Sequence, residues 1–157
     1  MTIKLVAFDV DGVLTDGSLT FDEKGREYKT FNAKDGQGIC NLNRAGIITA
    51  IITARDNSTI THRAKTLEIK ELHQGAKNKI KTLEEIMAKY KINFDEIAYM
   101  GDDLPDICVL EKVALKGCPL DAVDEVKEVA NFISSKNGGR GAAREFCDYI
   151  LKGMKNV

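Results

Sequence analysis

The sequence predicts a doubly wound, Rossmann-like α/β domain with a parallel sheet, a β-hairpin flap after the first strand and no large cap domain. Three observations predict it. Short apolar runs alternate with helical patterns, one hairpin pattern breaks that rhythm, and no linker, internal repeat or low-complexity tract divides residues 1–157. Residues 3–8, 47–52 and 97–100 read as buried strands, with weaker candidates at 69–72, 113–115 and 132–133. Helical stretches lie near 38–44, 58–67, 77–90, 105–111, 121–130 and 141–151. In the third of these, Ile80, Leu83, Ile86, Met87 and Tyr90 recur at three- and four-residue intervals and make one apolar face. Strands separated by helices imply βαβ units, hence a mostly parallel sheet. The exception is 18–21 and 27–31, β-branched and aromatic runs flanking Asp22-Glu23-Lys24-Gly25, which read as a hairpin beside the carboxyl end of strand one.

Composition narrows the functional classes. Apolar residues make up 43% and charged residues 30%, a globular balance. Lys plus Arg is 23 and Asp plus Glu 24, so the net charge is −1, without the basic excess of a general nucleic-acid or membrane-surface binder. No apolar run approaches the roughly 20 residues of a membrane span, and the N-terminal segment lacks the apolar core of a secretory signal. The expectation is a soluble, cytoplasmic protein. Cys40, Cys108, Cys118 and Cys147 form no C-x-x-C pair and read as reduced, mostly buried thiols. His62 and His73 lie in no zinc-type pattern.

Ligands of a parallel α/β sheet bind outside the carboxyl ends of its strands, and three such positions are distinctive here. Asp9-Val10-Asp11-Gly12-Val13-Leu14-Thr15 follows strand one, Thr53-Ala54-Arg55-Asp56 strand two, and Gly101-Asp102-Asp103-Leu104-Pro105-Asp106 the run at 97–100. Up to four carboxylates would meet at one rim, a like-charge cluster that is costly unless a cation relieves it. A hard divalent ion with oxygen ligands does so, and Mg²⁺ uses few carboxylates plus water and substrate phosphate.

The first of these segments resembles the D-x-D-G-[TV]-[LI]-T nucleophile motif of the haloacid dehalogenase superfamily of phosphatases. Thr53, Lys79 and Gly101-Asp102-Asp103 match its second, third and fourth motifs, in order, across positions 9 to 106. The hairpin, residues 32–36, Gln74-Gly75-Ala76-Lys77-Asn78-Lys79 and Asn137-Gly138-Gly139-Arg140-Gly141 resemble one capless subfamily over nearly the whole chain. That subfamily is the 3-deoxy-D-manno-octulosonate 8-phosphate (KDO 8-phosphate) phosphatases of lipopolysaccharide synthesis. The resemblance implies a Mg²⁺-dependent phosphomonoesterase acting on a small phosphorylated sugar acid, and a homotetramer in which hairpins associate.

By the same resemblance Asp9 is the nucleophile that forms an aspartyl-phosphate, and Asp11 the general acid and then base. Asp9, the Asp11 carbonyl and Asp102 hold the metal, while Thr53, the Ala54 amide and Lys79 contact phosphate. Lys79 is preferred to Lys77 because Asn78-Lys79 matches the family's pair. Arg55 and Arg140 suit a substrate carboxylate, although the Gly138–Gly141 stretch also reads as a flexible loop. Asp103 reads either as a residue that orients the metal's water or as a helix-start acid, and Asp106 either as a motif residue or as a first-turn acid. Two rival readings are the same chemistry on a nonulosonate (sialic-acid-type) 9-phosphate and a noncatalytic tetramerisation module. The intact Asp9/Asp11 pair disfavours the latter.

Overall fold

All four residues of β1 (Leu5–Phe8) are inaccessible to solvent, and their alternation feeds two separate cores. Val6 and Phe8 join one apolar cluster, Leu5 and Ala7 the other, as the two-residue period of a strand requires. A strand buried on both faces belongs inside a sheet covered by helices on both sides. The computed structural model, which describes residues 2–155, has that architecture. After β1 come a short hairpin of β2 (Thr20–Phe21) and β3 (Glu27–Tyr28), then α1 (Ala33–Arg44), β4 (Ile48–Ile52), α2 (Ser58–Thr66), β5 (Glu71–His73) and α3 (Lys79–Tyr90). The chain continues through β6 (Ile97–Met100), α4 (Ile107–Leu110), β7 (Leu115–Cys118), α5 (Asp124–Val129), β8 (Phe132–Ile133) and α6 (Ala142–Lys155).

The sheet has the order β5-β4-β1-β6-β7-β8 and every pair in it is parallel. Helices α1, α2 and α6 cover the Val6/Phe8 face through Ile39, Ile60 and Phe146; α3, α4 and α5 cover the other through Leu83, Val109 and Val126. Connections leave β1 in both directions, so the topological switch point lies at its carboxyl end. Phe8 is level with Ile51 of β4 and Met100 of β6, which brings Asp9, Thr53 and Gly101 out at one rim.

Several boundaries differ from the sequence reading, each for a local reason. Helix α1 starts at Ala33 rather than 38, because the Asn32 side chain accepts the N–H groups of Lys34 and Asp35 as an N-cap. Its glycines weaken the helical signal but serve packing: a Cβ on Gly38 would lie 3.0 Å from Arg144 Cδ and 3.1 Å from Cys147 Cβ, both on α6. Helix α3 starts at Lys79 rather than 77, where Asn78 accepts the Lys81 N–H. The helix expected over 105–111 divides into a 3₁₀ turn, Leu104–Asp106, and the single turn of α4. Strands β5 and β7 lie about two residues beyond the runs that marked them.

The hairpin is present with only two paired positions. Asp22 shapes its turn by accepting the N–H groups of Lys24 and Arg26, with Gly25 at φ +77°. Leu19, Phe21 and Tyr28 are exposed. Phe31 packs instead against the core and lies under the Arg63 guanidinium. The cysteines are unpaired, with Cys118 and Cys147 buried, Cys40 half-buried and Cys108 exposed rather than buried. Among the described residues no helix is long and apolar enough to cross a membrane.

Candidate active site

The chain leaves β1 at Asp9, whose N–H donates to the Met100 carbonyl, and then turns tightly. The Val10 carbonyl accepts the N–H groups of Val13, Leu14 and Thr15, and the Thr15 hydroxyl accepts those of Gly12 at 3.3 Å and Gly17 at 3.2 Å. Gly12 has φ +85°, and a Cβ on it would stand 1.9 Å from Asp102 Oδ2. Only glycine allows the first loop to meet the third this closely. The Gly138-Gly139 segment braces the same loop from behind, since a Cβ on Gly138 would lie 1.8 Å from the Gly12 carbonyl oxygen. The Gly139 N–H donates to the Val13 carbonyl at 3.0 Å.

Lys79, at the first turn of α3, is only 4% exposed. Its Nζ lies 3.1 Å from Asp9 Oδ1 and 2.8 Å from Asp106 Oδ1. Asp106 is itself buried. Its Oδ1 also accepts the Tyr99 hydroxyl at 2.6 Å, and its Oδ2 accepts the N–H groups of Asp102 at 2.9 Å and Asp103 at 3.2 Å. Asp106 therefore locks the Gly101 loop against the lysine. A cleft of about 240 Å³ opens above these groups, lined by Asp9, Asp11, Thr53, Ala54, Arg55, Lys79, Asp102, Asp103, Pro105 and Asp106.

A haloacid dehalogenase-like hydrolase family model matches residues 69–146. The chain is 41% identical over 149 residues to 3-deoxy-D-manno-octulosonate 8-phosphate phosphatase KdsC of Escherichia coli K12, covering 95% of this chain and 79% of that protein. The chain belongs to the KDO 8-phosphate phosphatase family. Among solved structures, a probable yrbi family phosphatase from Pseudomonas syringae superimposes with TM-score 0.97 at 47% identity, over 99% of this chain and 89% of that one. The KDO 8-phosphate phosphatase of Moraxella catarrhalis, solved with magnesium, phosphate and KDO, superimposes with TM-score 0.95 at 39% identity, over 98% of this chain and 88% of that one.

The donor set of this KDO 8-phosphate phosphatase family member fits a hard divalent cation. Carboxylate oxygens of Asp9, Asp102 and Asp106 lie within 4.8 Å of one another. The four donors already on Asp106 occupy its acceptor capacity, which leaves Asp9 and Asp102 as the carboxylates available to a metal. Asp102 Oδ1 is buried without a hydrogen-bond partner among the described residues, an arrangement that costs free energy unless a ligand completes it. Burial first, then the charges of Asp9 and Asp106, push Asp102 up to about 8. Burial and Asp106 push Asp9 up to about 6 against the opposing pull of Lys79. Burial alone would lower Lys79, but Asp9 and Asp106 outweigh it and hold the ammonium above its ordinary value.

Nearly all the residues singled out in the sequence meet at this cleft. Lys77 is exposed, and Lys79 is the lysine that reaches Asp9. Thr53 is buried, its hydroxyl oxygen accepting the Arg55 N–H at 3.2 Å. Asp103 is exposed and accepts the Leu104 N–H at 2.8 Å, the geometry of a turn cap. Arg140 is the residue that the fold sets apart: its Nη2 lies 3.6 Å from Asp16 Oδ2, and it does not line the cleft. Gly138 and Gly139 before it pack against the loop of Gly12 to Asp16.

Sequence reasoning left Asp106 open and missed Tyr99, Glu27 and Lys29. Lys29 Nζ lies 2.6 Å from Asp11 Oδ1 and 3.0 Å from Glu27 Oε1, and Glu27 in turn pairs with Arg55. The available signal was the spacing of Glu27 and Lys29, two residues apart on an extended chain and so on one side of it.

Proposed function

We propose that this chain hydrolyses KDO 8-phosphate to KDO and phosphate with Mg²⁺, a step of lipopolysaccharide biosynthesis carried out in the cytoplasm. The observation that supports it most is the placement of Asp9 and Asp11 beside buried Lys79 at the switch point, in a chain so similar to KdsC. Asp9 attacks phosphorus, forming a P–O bond as the bond to the sugar oxygen breaks. That oxygen leaves with a proton from Asp11. Asp11, now a carboxylate, takes a proton from water as the water oxygen attacks the aspartyl-phosphate, which releases phosphate and restores Asp9.

Thr53 and the Ala54 amide donate to phosphate oxygens, and Lys79 supplies a fixed positive charge to a transition state whose demands are mainly positioning and neutralisation. Asp9, Asp102 and the Asp11 carbonyl hold Mg²⁺, which supplies charge neutralisation for the carboxylates and the phosphate. Asp103 lines the same cleft and caps the following turn through the Leu104 N–H, which holds the loop that carries Asp102. Arg55, half-exposed beside Asp11, is suited to the substrate carboxylate. Arg140, tied to Asp16, would reach that group only by leaving its present contact.

The assembly we propose is a homotetramer joined through the hairpins, because Leu19, Phe21 and Tyr28 are each more than half exposed there. The functional test is phosphate release from a panel holding KDO 8-phosphate, a nonulosonate 9-phosphate, hexose phosphates and nitrophenyl phosphate. Strong preference for KDO 8-phosphate is expected. Preference for the nine-carbon acid would retain the chemistry and discard the substrate, and no release from any of them would favour a noncatalytic module.

A further inference from the structure

Strand pleating gives the hairpin two different sides. Tyr28 is exposed, while Glu27 and Lys29, its neighbours in sequence, turn toward the cleft. The Lys29 side chain is only 1% exposed, although it carries a charge. A lysine buried to that degree needs partners, and it has two: Asp11 Oδ1 at 2.6 Å and Glu27 Oε1 at 3.0 Å. Glu27 Oε2 pairs with Arg55 Nη2 and accepts from Asn57 Nδ2 at 3.3 Å. Arg55 Nε comes back to 4.0 Å from Asp11 Oδ2. Asp11, Lys29, Glu27 and Arg55 thus form a closed ring of two anions and two cations, half of it supplied by the hairpin.

We propose that Lys29 is a positioning residue for the proton transfer: by engaging Oδ1 of Asp11 it fixes the carboxyl plane and leaves Oδ2 to face the leaving oxygen. Glu27 holds Lys29 in place and anchors Arg55 to the same strand, so the hairpin sets the proton donor and the cationic rim as one unit. The proposal rests on the reading of Asp11 as the group that protonates the leaving sugar oxygen. Misplacing a reacting group by about 1 Å can cost roughly 10²-fold in rate, so a lost tether should appear in turnover rather than in phosphate binding.

Leaving-group dependence separates this role from a merely structural one. An alkoxide needs a proton as it departs, whereas nitrophenolate leaves without one. Lys29→Met should lower kcat on KDO 8-phosphate about 10- to 100-fold more than on nitrophenyl phosphate, with KM little changed, and Lys29→Arg should recover much of the loss. A second measurement needs no turnover. In metal-free protein, Lys29→Met should lower Tm less in an Asp11→Ala background than in the wild type, because the contact is already gone. Equal kcat losses on both substrates, or equal Tm losses in both backgrounds, would overturn the proposal. If the unaltered protein cleaves nitrophenyl phosphate but no sugar acid phosphate, the substrate reading fails while the Lys29 proposal is still decided by the same kcat comparison, made between a hexose phosphate and nitrophenyl phosphate.

Discussion

Lys79 Nζ lies between two carboxylates, 3.1 Å from Asp9 Oδ1 and 2.8 Å from Asp106 Oδ1, with all three residues buried. That pairing ties the carboxyl end of β1 to the start of α3 and to the loop after β6. It also makes the lysine a structural member of the site in addition to the phosphate contact proposed for it.

Removing the ammonium would leave two buried acids facing each other. Breaking a buried pair by truncating one partner typically costs about 3–5 kcal/mol, so Lys79→Ala should lose stability on that scale, read from denaturant unfolding. The exposed Lys77→Ala should change it by less than about 0.5 kcal/mol. Equal effects at the two positions would contradict the assignment.

Asp9→Asn keeps the shape of the proposed nucleophile and removes its charge. Turnover should fall by at least about 10³-fold, while circular dichroism and gel-filtration profiles stay as in the unaltered protein. Retention of more than a tenth of the activity would exclude Asp9 as the group that attacks phosphorus.

The raised carboxyls set a pH dependence with a definite sign. Unfolded, Asp9 and Asp102 ionise near 3.8; folded and metal-free, at about 6 and about 8. The folded state therefore holds more protons across that window. The stability these two groups contribute is fully present below the unfolded value and is lost as pH rises through the folded ones. Because Mg²⁺ binds the ionised forms, the Tm increment it produces should grow from pH 5.5 to 8.5. Melting curves with Mg²⁺ and with EDTA check this, and an increment that shrinks with pH would contradict it.

Gly138 has no room for a side chain, since the nearest atom to its Cβ position is the Gly12 backbone oxygen. Gly138→Ala should cost about 1–3 kcal/mol and weaken Mg²⁺ binding measured calorimetrically. Among the described residues nothing beyond its own helix backbone lies within 4 Å of a Cβ placed on Gly153 in α6, so Gly153→Ala should be neutral or stabilising by up to about 1 kcal/mol.

The parallel sheet was legible because its central strands are apolar runs that end in polar loops, and the cleft was legible because those loops carry unusual residue types. The choice of Lys79 over Lys77 could also be made from the neighbouring Asn78. Pairings between distant residues could not be read. Asp106 resembles any acid in a first turn until Tyr99 and Lys79 are seen to converge on it, and nothing local joins Lys29 to Asp11 across 18 positions. Gly36 and Gly38 concealed the first turns of α1 because helix propensity ignores the close approach of Arg63 and Leu67 to the one and of α6 to the other. Arg140 was set beside the substrate by its residue type and by the resemblance of residues 137–141 to the family's loop, whereas the structure shows its Nη2 facing Asp16 and Gly138-Gly139 packed on the Gly12 loop.

The most direct test of the account is phosphate release from KDO 8-phosphate by the unaltered protein and by Asp9→Asn, each with Mg²⁺ and with EDTA. The account predicts release only by the unaltered protein with Mg²⁺. Equal release in EDTA, or from Asp9→Asn, would contradict it.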